Sequence, residues 1–432
     1  MAKRLSSASQ FKPEGEPEST SRLAGVSAAV RGHCRRVAWV GLLAVSIGPA
    51  GARPDAVEAT SATAASAAAV AIPAIPAIPA IPAISATPAT AASRAVQLPW
   101  RWQQVPRVQG RVTARDLGLV INLDDPYSVE VGELYARERG IPAQRVLRVR
   151  LPRQPNLSET ELRQLRQEVD RFFDDTVQAL ALAWVEPWAV GCQSITAALS
   201  LGLEPELCRD TCARLGVSAY FNSGSSRPLR DHGMRPSMLL AAGDTASARR
   251  LLERGRAADG QLGRRGALPV HAYYMLTDDR TRSVRWRDFP PPGMLRPLAV
   301  QTHVQPGALP ASVDEPILLL HTGVPQFSGA EQLTWAPGAL ADHLTSFGGQ
   351  LTGRSGQTSA LAWIDAGATA SYGTVSEPCN HVQKFPHPQL LLLHYLQGAS
   401  AIEAYWKSVR WPQQGLFIGD PLAAPFARHE IP

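Results

Sequence analysis

The feature that most constrains the fold of this chain is an alternation of short apolar runs with helical segments between residues 117 and 420. The first run, residues 117–123, is typical of a strand buried on both faces of a parallel sheet. Residues 124–126 end this run, and Ser128 is predicted to cap a helix that ends at Arg139. The alternation predicts an α/β fold with a mostly parallel sheet and helices on both faces.

Further segments continue the same pattern. Strands are expected at residues 146–151, 179–185, 237–242, 271–276, 316–321, 368–375 and 416–420. Helices are expected from residue 158 and at 247–253, 358–366, 388–398 and 400–406. Two of these helices begin with capping boxes, Ser158 with Glu161 and Ser400 with Glu403. Gly255 is interpreted as the C-cap of the helix at 247–253.

The N-terminus has the three parts of a secretory signal. Residues 31–36 are basic, residues 37–48 are mostly apolar, and residues 49–52, Pro-Ala-Gly-Ala, offer the small side chains at which signal peptidase cuts. The apolar stretch is shorter than the roughly 20 residues that span a bilayer. We therefore expect residues 1–52 to be a signal peptide, with a permanent signal anchor as the alternative. The mature protein is then periplasmic or secreted and is not an integral membrane protein.

Residues 53–96 are expected to be a disordered spacer. They are rich in Ala and carry an Ile-Pro-Ala repeat from Ile72 to about Ile84, in which Pro at every third position favours extended polyproline II. A low-complexity expansion without function is the alternative. The remaining residues, 97–432, are predicted to form a single α/β domain.

Composition argues against several classes of function. Lys and Arg number 43 against 37 Asp and Glu, a formal net charge of +6, and the basic residues are dispersed along the chain. Because no basic stripe with interleaved aromatic residues occurs, no nucleic-acid partner is expected. The sequence has neither a Walker loop nor a Gly-x-Gly-x-x-Gly fingerprint, so no cofactor is predicted.

Four cysteines remain once Cys34 leaves with the signal peptide: Cys192, Cys208, Cys212 and Cys379. In an oxidising compartment an even number favours disulfides, and at least one is expected. Cys208 and Cys212 would form a local bridge or face two separate partners from one helix. No His or further Cys stands at ligand spacing beside them, so they do not indicate a metal site.

Polar residues stand where predicted strands end, the place where open α/β sheets bind ligands. Asp124 and Asp125 follow the first strand, His321 ends another, and Asp420 ends the last. His321 is followed by Thr-Gly and can present its imidazole to a pocket, with a satisfied core histidine as the alternative. Asp420 alternatively caps the turn that leaves its strand.

Two further segments are dense in polar groups. Residues 342–349, Asp-His-Leu-Thr-Ser-Phe-Gly-Gly, contain Asp342, His343 and Ser346, although a glycine-rich loop with tight turns is an equal interpretation. Residues 373–381 contain Glu377 and Cys379, and Cys379 is either a nucleophile or half of a disulfide. The catalytic candidates are His321, Cys379, Ser346 and Asp342. The binding candidates are Asp124, Asp125, His343, Glu377 and Asp420. No metal is predicted, because nothing in their spacing requires these groups to meet at one rim of the sheet.

Short motifs are spread through residues 115–428. They lie at residues 122–128, 139–142, 235–238, 254–259, 277–280, 342–349, 373–379, 384–386, 403–406 and 419–422. In these motifs the sequence resembles an uncharacterised exported family found in bacteria that carry the exosortase (PEP-CTERM) protein-sorting system. The resemblance implies a location in the cell envelope, and that family has no assigned activity.

A more distant resemblance is to gingipain-type cysteine peptidases of the caspase-like fold. In those enzymes too a strand ends in His followed by Gly, a later strand ends in the nucleophilic Cys, and Gly-Asp-Pro follows near the end of the domain. His321 and residues 419–421 match that order. Thr345 and Ser346 stand where the nucleophilic Cys is expected, and Cys379 comes one strand too late.

Two functions follow from these observations. The first is a binding or accessory protein of the envelope that serves exosortase-type surface sorting, with envelope proteins or surface polymers as partners. The second is a hydrolase, a caspase- or gingipain-like peptidase that uses His321 with Cys379 or Ser346.

Overall fold

The computed structural model describes residues 100–312, 314–353 and 355–428. The predicted signal peptide at 1–52 and the predicted spacer at 53–96 lie outside these ranges, so both stay predictions. Across the described ranges, no helix has the length and apolar character needed to cross a membrane.

Strands and helices alternate along the described residues. The strands are β1 Leu117–Asn122, β2 Val146–Val149, β3 Ala179–Leu182, β4 Ala189–Val190, β5 Gln193–Ser194, β6 Ser237–Leu239, β7 Val270–Leu276, β8 Gly293–Leu295, β9 Val300–Pro306, β10 Ile317–Thr322, β11 Trp335–His343, β12 Ala370–Thr374 and β13 Gly415–Gly419. The helices are α1 Pro126–Arg139, α2 Glu159–Phe172, α3 Ile195–Leu201, α4 Pro228–His232, α5 Thr245–Ala258, α6 Leu361–Ala366, α7 Pro388–Leu396 and α8 Ala401–Ser408.

One large sheet dominates the described residues. Its 11 strands lie in the order β2-β1-β3-β6-β13-β12-β11-β10-β7-β9-β8. Neighbouring strands are parallel except in the pairs β12/β13 and β8/β9. The predicted α/β class with a mostly parallel sheet is therefore confirmed.

The antiparallel β12/β13 pair divides this sheet into two parallel halves that run in opposite directions. We call β2, β1, β3, β6 and β13 the first half, and β12, β11, β10, β7 and β9 the second half. Because their directions are opposed, the carboxyl ends of the two halves lie at opposite edges of the sheet. The strand ends singled out in the sequence are divided between these two edges.

The strongest sequence signals correspond to the best-formed elements. Every residue of β1, β3 and β10 is buried, which explains why these strands are apolar apart from Asn122, His321 and Thr322 at their ends. Both predicted capping boxes are present, Ser158 with Glu161 before α2 and Ser400 with Glu403 before α8. Each box satisfies backbone N–H groups that the first helical turn leaves without partners.

Two predicted helix boundaries are wrong. Helix α1 begins earlier than expected, because Asp125 is its N-cap and its carboxylate accepts a hydrogen bond from Tyr127 N at 3.1 Å. Ser128 lies inside the helix, and its hydroxyl accepts from Asn122 N at 2.7 Å. Gly255 does not end α5, which continues to Ala258. A Cβ at position 255 would collide with the carboxylate of Asp420, so this glycine is required by close packing.

Three strands of the large sheet, β8, β9 and β11, were not predicted from the sequence, and neither was the small β4/β5 sheet. Pro337 and Gly338 interrupt β11, where the pairing with β10 changes register and Gly338 has a φ of +83°. A proline and a left-handed residue both break the pattern by which a strand is recognised. Strand β9, Val-Gln-Thr-His-Val-Gln-Pro, has three consecutive polar residues, so it lacks the apolar–polar alternation by which a half-buried strand is recognised.

Candidate functional site

Polar side chains collect at the carboxyl edge of the second half. His321 and Thr322 end β10, and Asp342 and His343 end β11. The register of these parallel strands pairs His321 with Asp342 and Thr322 with His343. Strand pairing therefore brings together two of the four catalytic candidates.

His321 and Asp342 form a buried cluster with Arg285, which comes from the 3₁₀ helix Val284–Asp288. His321 and Asp342 are 0% exposed and Arg285 is 3% exposed. Arg285 Nη1 lies 2.6 Å from Asp342 Oδ1 and 3.2 Å from His321 Nδ1. His321 Nε2 lies 3.3 Å from Asp342 Oδ2. The cluster is thus an ion pair with an imidazole held between its two members.

These contacts determine how His321 is protonated. A guanidinium only donates hydrogen bonds, so His321 Nδ1 accepts from Arg285 and the neutral ring carries its proton on Nε2, facing Asp342. Burial, together with the positive charge of Arg285, holds the pKa of His321 well below its ordinary value. Burial raises the pKa of Asp342 to about 6, although the Arg285 charge opposes it. Among the described residues, Nε2 makes no hydrogen bond, although Asp342 Oδ2 lies 3.3 Å away, and the whole ring is buried, so neither nitrogen is open to a substrate.

His343, the neighbouring histidine, has a hydrogen-bond partner on each ring nitrogen. Its Nδ1 accepts from Trp363 Nε1 at 2.9 Å, so its Nε2 carries the proton and donates to Thr358 O at 2.9 Å. Burial lowers the pKa of His343 to about 4. The second imidazole at this edge therefore holds loops in place and is closed to solvent.

Outside the buried cluster, the loops that follow the strands of the second half enclose a crevice of about 150 Å³. Ser346 is half-buried in its wall, and within the described residues the Ser346 hydroxyl has no hydrogen-bond partner. Thr345 donates to Gln357 Oε1 at 2.6 Å. The lining residues are Thr281, Arg282, Leu344, Thr345, Ser346, Glu377, Pro378 and Asn380.

The remaining catalytic candidate, Cys379, forms a disulfide with Cys212. It has no free thiol in this structure, and a Cys379 nucleophile does not fit it. Cys192 and Cys208 form a second disulfide. The prediction of at least one disulfide is confirmed, and all four cysteines that follow the predicted signal are paired.

The binding candidate Asp420 lies at the opposite edge, the carboxyl edge of the first half. It is fully buried and accepts hydrogen bonds from Arg139 and from Tyr135 Oη, the latter at 3.0 Å. Arg139 also pairs with Asp259. Three of the sequence motifs, at 139–142, 254–259 and 419–422, thus meet in one charge network, in which Asp259 is partly exposed and Asp420 is fully buried and closed to a ligand.

Asp124 and Asp125 belong to the same edge as Asp420. Asp124 is exposed and pairs with Arg150, while Asp125 caps α1. They lie at the opposite edge of the sheet from His321, Asp342, His343 and Glu377, so the candidate ligands considered in the sequence do not meet at one rim.

Arg285 and Arg282 were not among the residues predicted from the sequence. Both lie in the loop after β7, and neither stands out in a chain with 43 Lys and Arg. The one available signal was indirect: Asp342 follows an apolar stretch, and a buried carboxylate requires a cation or a set of donors.

A cleft of about 950 Å³ lies away from these strand ends. Arg107, Arg111, Arg264 and Arg428 line it, together with glycines and apolar side chains, and no carboxylate, imidazole or thiol is among its lining residues. It therefore offers no acid–base pair, and the crevice beside Ser346 remains the better candidate site.

Comparison with known proteins does not identify a relative: no protein-family model, curated protein or solved structure matches the chain.

Proposed function

We propose that this chain is an exported protein of the bacterial envelope that serves exosortase-type surface sorting as a binding or accessory protein. The observation that carries the proposal is the engagement of His321, whose two nitrogens face Arg285 and Asp342 inside the protein. With Cys379 in a disulfide as well, the catalytic pair of a cysteine peptidase is not assembled. This arrangement supports a domain that binds its partner without cleaving it.

Two disulfides support the envelope location. Disulfides persist in oxidising compartments and are rare in the cytosol, so their presence is consistent with a protein that acts outside the cytoplasm. The exported state rests on the signal predicted at residues 1–52. Periplasm and cell surface are then the two places in which the domain would meet its partners.

The crevice beside Ser346 is the proposed binding site. It offers a carboxylate from Glu377 and uncharged donors and acceptors from Ser346 and Asn380. It also offers the guanidinium of Arg282, which pairs with Asp279 at 2.8 Å. At about 150 Å³, the crevice has room for a short part of an extended peptide, whose backbone both donates and accepts hydrogen bonds. We therefore propose a segment of another envelope protein as the occupant, in preference to a surface polymer.

The test is made in an exosortase-bearing host with an exported reporter that ends in a PEP-CTERM sorting tail. Surface display of the reporter is measured by protease accessibility on whole cells. Deletion of the gene and the crevice-filling variant Ser346→Trp are both expected to reduce display. The matched variant Ser328→Trp, at an exposed serine outside the crevice, is expected to preserve it. Normal display in the deletion strain would rule out the sorting role.

The peptidase alternative is tested on the purified chain. Electrophilic probes for cysteine and serine hydrolases are expected to label neither the wild type nor His321→Ala. Labelling of Ser346 or Cys379 that disappears in Ser346→Ala or in His321→Ala would contradict the binding proposal and establish a hydrolase.

A further inference from the structure

Three metal-ligating side chains meet on one face of the second half, apart from the crevice beside Ser346. They are His271 at the start of β7, His303 in β9 and Glu315 just before β10. His271 Nδ1 lies 2.9 Å from His303 Nε2 and 3.5 Å from Glu315 Oε2. All three ligand atoms lie within 4.8 Å of one another.

The register of the sheet accounts for this meeting. Side chains two residues apart in a strand share a face, so His271 and Tyr273 point the same way. Tyr273 is paired with His303 across the β7/β9 ladder, which makes His271 and His303 diagonal neighbours. Ile317 is paired with His271, and Glu315 lies two residues before it. The sheet therefore positions the two histidines directly, and it positions Glu315 through the start of β10.

Tyr273 orients two of the three ligands. Its ring stacks on His303, with the ring centroids 4.5 Å apart and the planes 11° from parallel. Its hydroxyl donates a hydrogen bond to Glu315 Oε2. Support of this kind, from a group that holds a ligand without binding the ion, is a regular feature of metal sites in proteins.

We propose that His271, His303 and Glu315 bind one divalent first-row transition ion. In a tetrahedral zinc site with bonds of about 2.0–2.1 Å, neighbouring ligand atoms lie about 3.3 Å apart. The 2.9 and 3.5 Å separations lie on either side of that value. Two imidazoles and a carboxylate suit Zn²⁺, Co²⁺ or Ni²⁺ better than the oxygen-seeking Mg²⁺ or Ca²⁺.

The site is accessible from solvent. The side chain of Glu315 is 40% exposed and that of His271 is 14% exposed, so an ion reaches the ligands without unfolding of the sheet. Three protein ligands leave one tetrahedral position for water or a small anion, as in open zinc sites.

The experiment uses the purified chain, stripped with a chelator, and titrates it with Zn²⁺ in a calorimeter. The expected result is one ion bound per chain. His303→Ala and Glu315→Gln are expected to weaken the affinity by more than about 100-fold, because loss of a supporting group alone costs 10–100-fold. His381→Ala, at a histidine in another part of the fold, is expected to leave the affinity unchanged.

Glu315→Gln keeps the size of a half-exposed side chain, so it tests the site without threatening the fold. Co²⁺ provides a second readout, since its visible absorption bands change with the number and geometry of its ligands. Absence of Zn²⁺ binding by the wild type, or equal binding by wild type, His303→Ala and Glu315→Gln, would overturn the proposal.

Discussion

At the scale of single residues, the buried cluster shows how burial decides the role of a polar side chain. His321 and Asp342 are types that serve in catalysis, yet both are fully buried and face each other and Arg285. A buried charge without its partner is far more costly than an exposed one. Removing Arg285 or Asp342 would leave the other charge buried without its partner, so each depends on the other.

Replacing Arg285 by Ala is expected to destabilise the protein by about 3–5 kcal/mol, because the Asp342 carboxylate then stays buried without its cation. Urea unfolding followed by circular dichroism measures the loss. Arg280→Ala, at an exposed arginine five positions earlier in the same loop, is the control and is expected to have little effect. Equal stabilities for the two variants would contradict the role given to Arg285.

The raised pKa of Asp342 predicts a pH dependence with a definite sign. Its pKa rises from 3.8 in the unfolded chain to about 6 in the fold, so the folded protein binds the proton more tightly. Between about pH 4 and pH 6 the contribution of Asp342 to stability therefore falls as the pH rises, by up to about 3 kcal/mol. The difference in unfolding free energy between wild type and Asp342→Asn, measured across this range, should show the decline. A difference that does not change with pH would refute it.

At the scale of elements, α5 shows which boundaries a sequence reveals. Capping boxes are local, and both were visible because the two partners lie three residues apart. Gly255 was misread because its reason is not local: the Asp420 carboxylate at the end of β13 occupies the space of a Cβ. Strand β11 was missed for a related reason, since its neighbours β10 and β12 compensate for the interruption at Pro337 and Gly338.

Gly255→Ala tests this packing. On helix propensity alone, the change would stabilise α5 by about 1 kcal/mol. We expect instead a destabilisation of about 1–3 kcal/mol, because the new methyl group collides with Asp420. The control, Ala257→Gly at an exposed position of the same helix, should cost about 1 kcal/mol. Thermal unfolding of both variants and the wild type measures these changes in stability. A Gly255→Ala protein more stable than the wild type would show that Asp420 moves aside for the new methyl group at little cost.

At the scale of the whole molecule, the antiparallel β12/β13 pair determines which strand ends share an edge of the sheet. It joins two parallel halves of opposite direction, and so separates Asp124, Asp125 and Asp420 from His321 and Asp342. The disulfide between Cys212 and Cys379 then ties the loop after β12 to a segment that precedes β6 by sequence. This disulfide therefore links a loop of the second half of the sheet to a loop of the first half.

The two disulfides are expected to contribute unequally to stability. They link residues 167 and 16 positions apart in sequence, and the longer closed loop restricts the unfolded chain more. Removing Cys212–Cys379 with paired Ala substitutions should cost about 2 kcal/mol more than removing Cys192–Cys208 in the same way. Chemical unfolding of the two double variants measures the difference. Equal costs would show that loop length does not govern these bridges.

The sequence by itself determined the α/β class, the capped helices, the buried strands and the expectation of disulfides, because each depends on neighbours within one element or on composition. Only the tertiary structure decided which polar residues meet. The pairing of His321 with Asp342, the arrival of Arg285 and the convergence of His271, His303 and Glu315 all depend on strand order and direction. Those are properties of contacts between segments far apart in sequence, which no local pattern specifies.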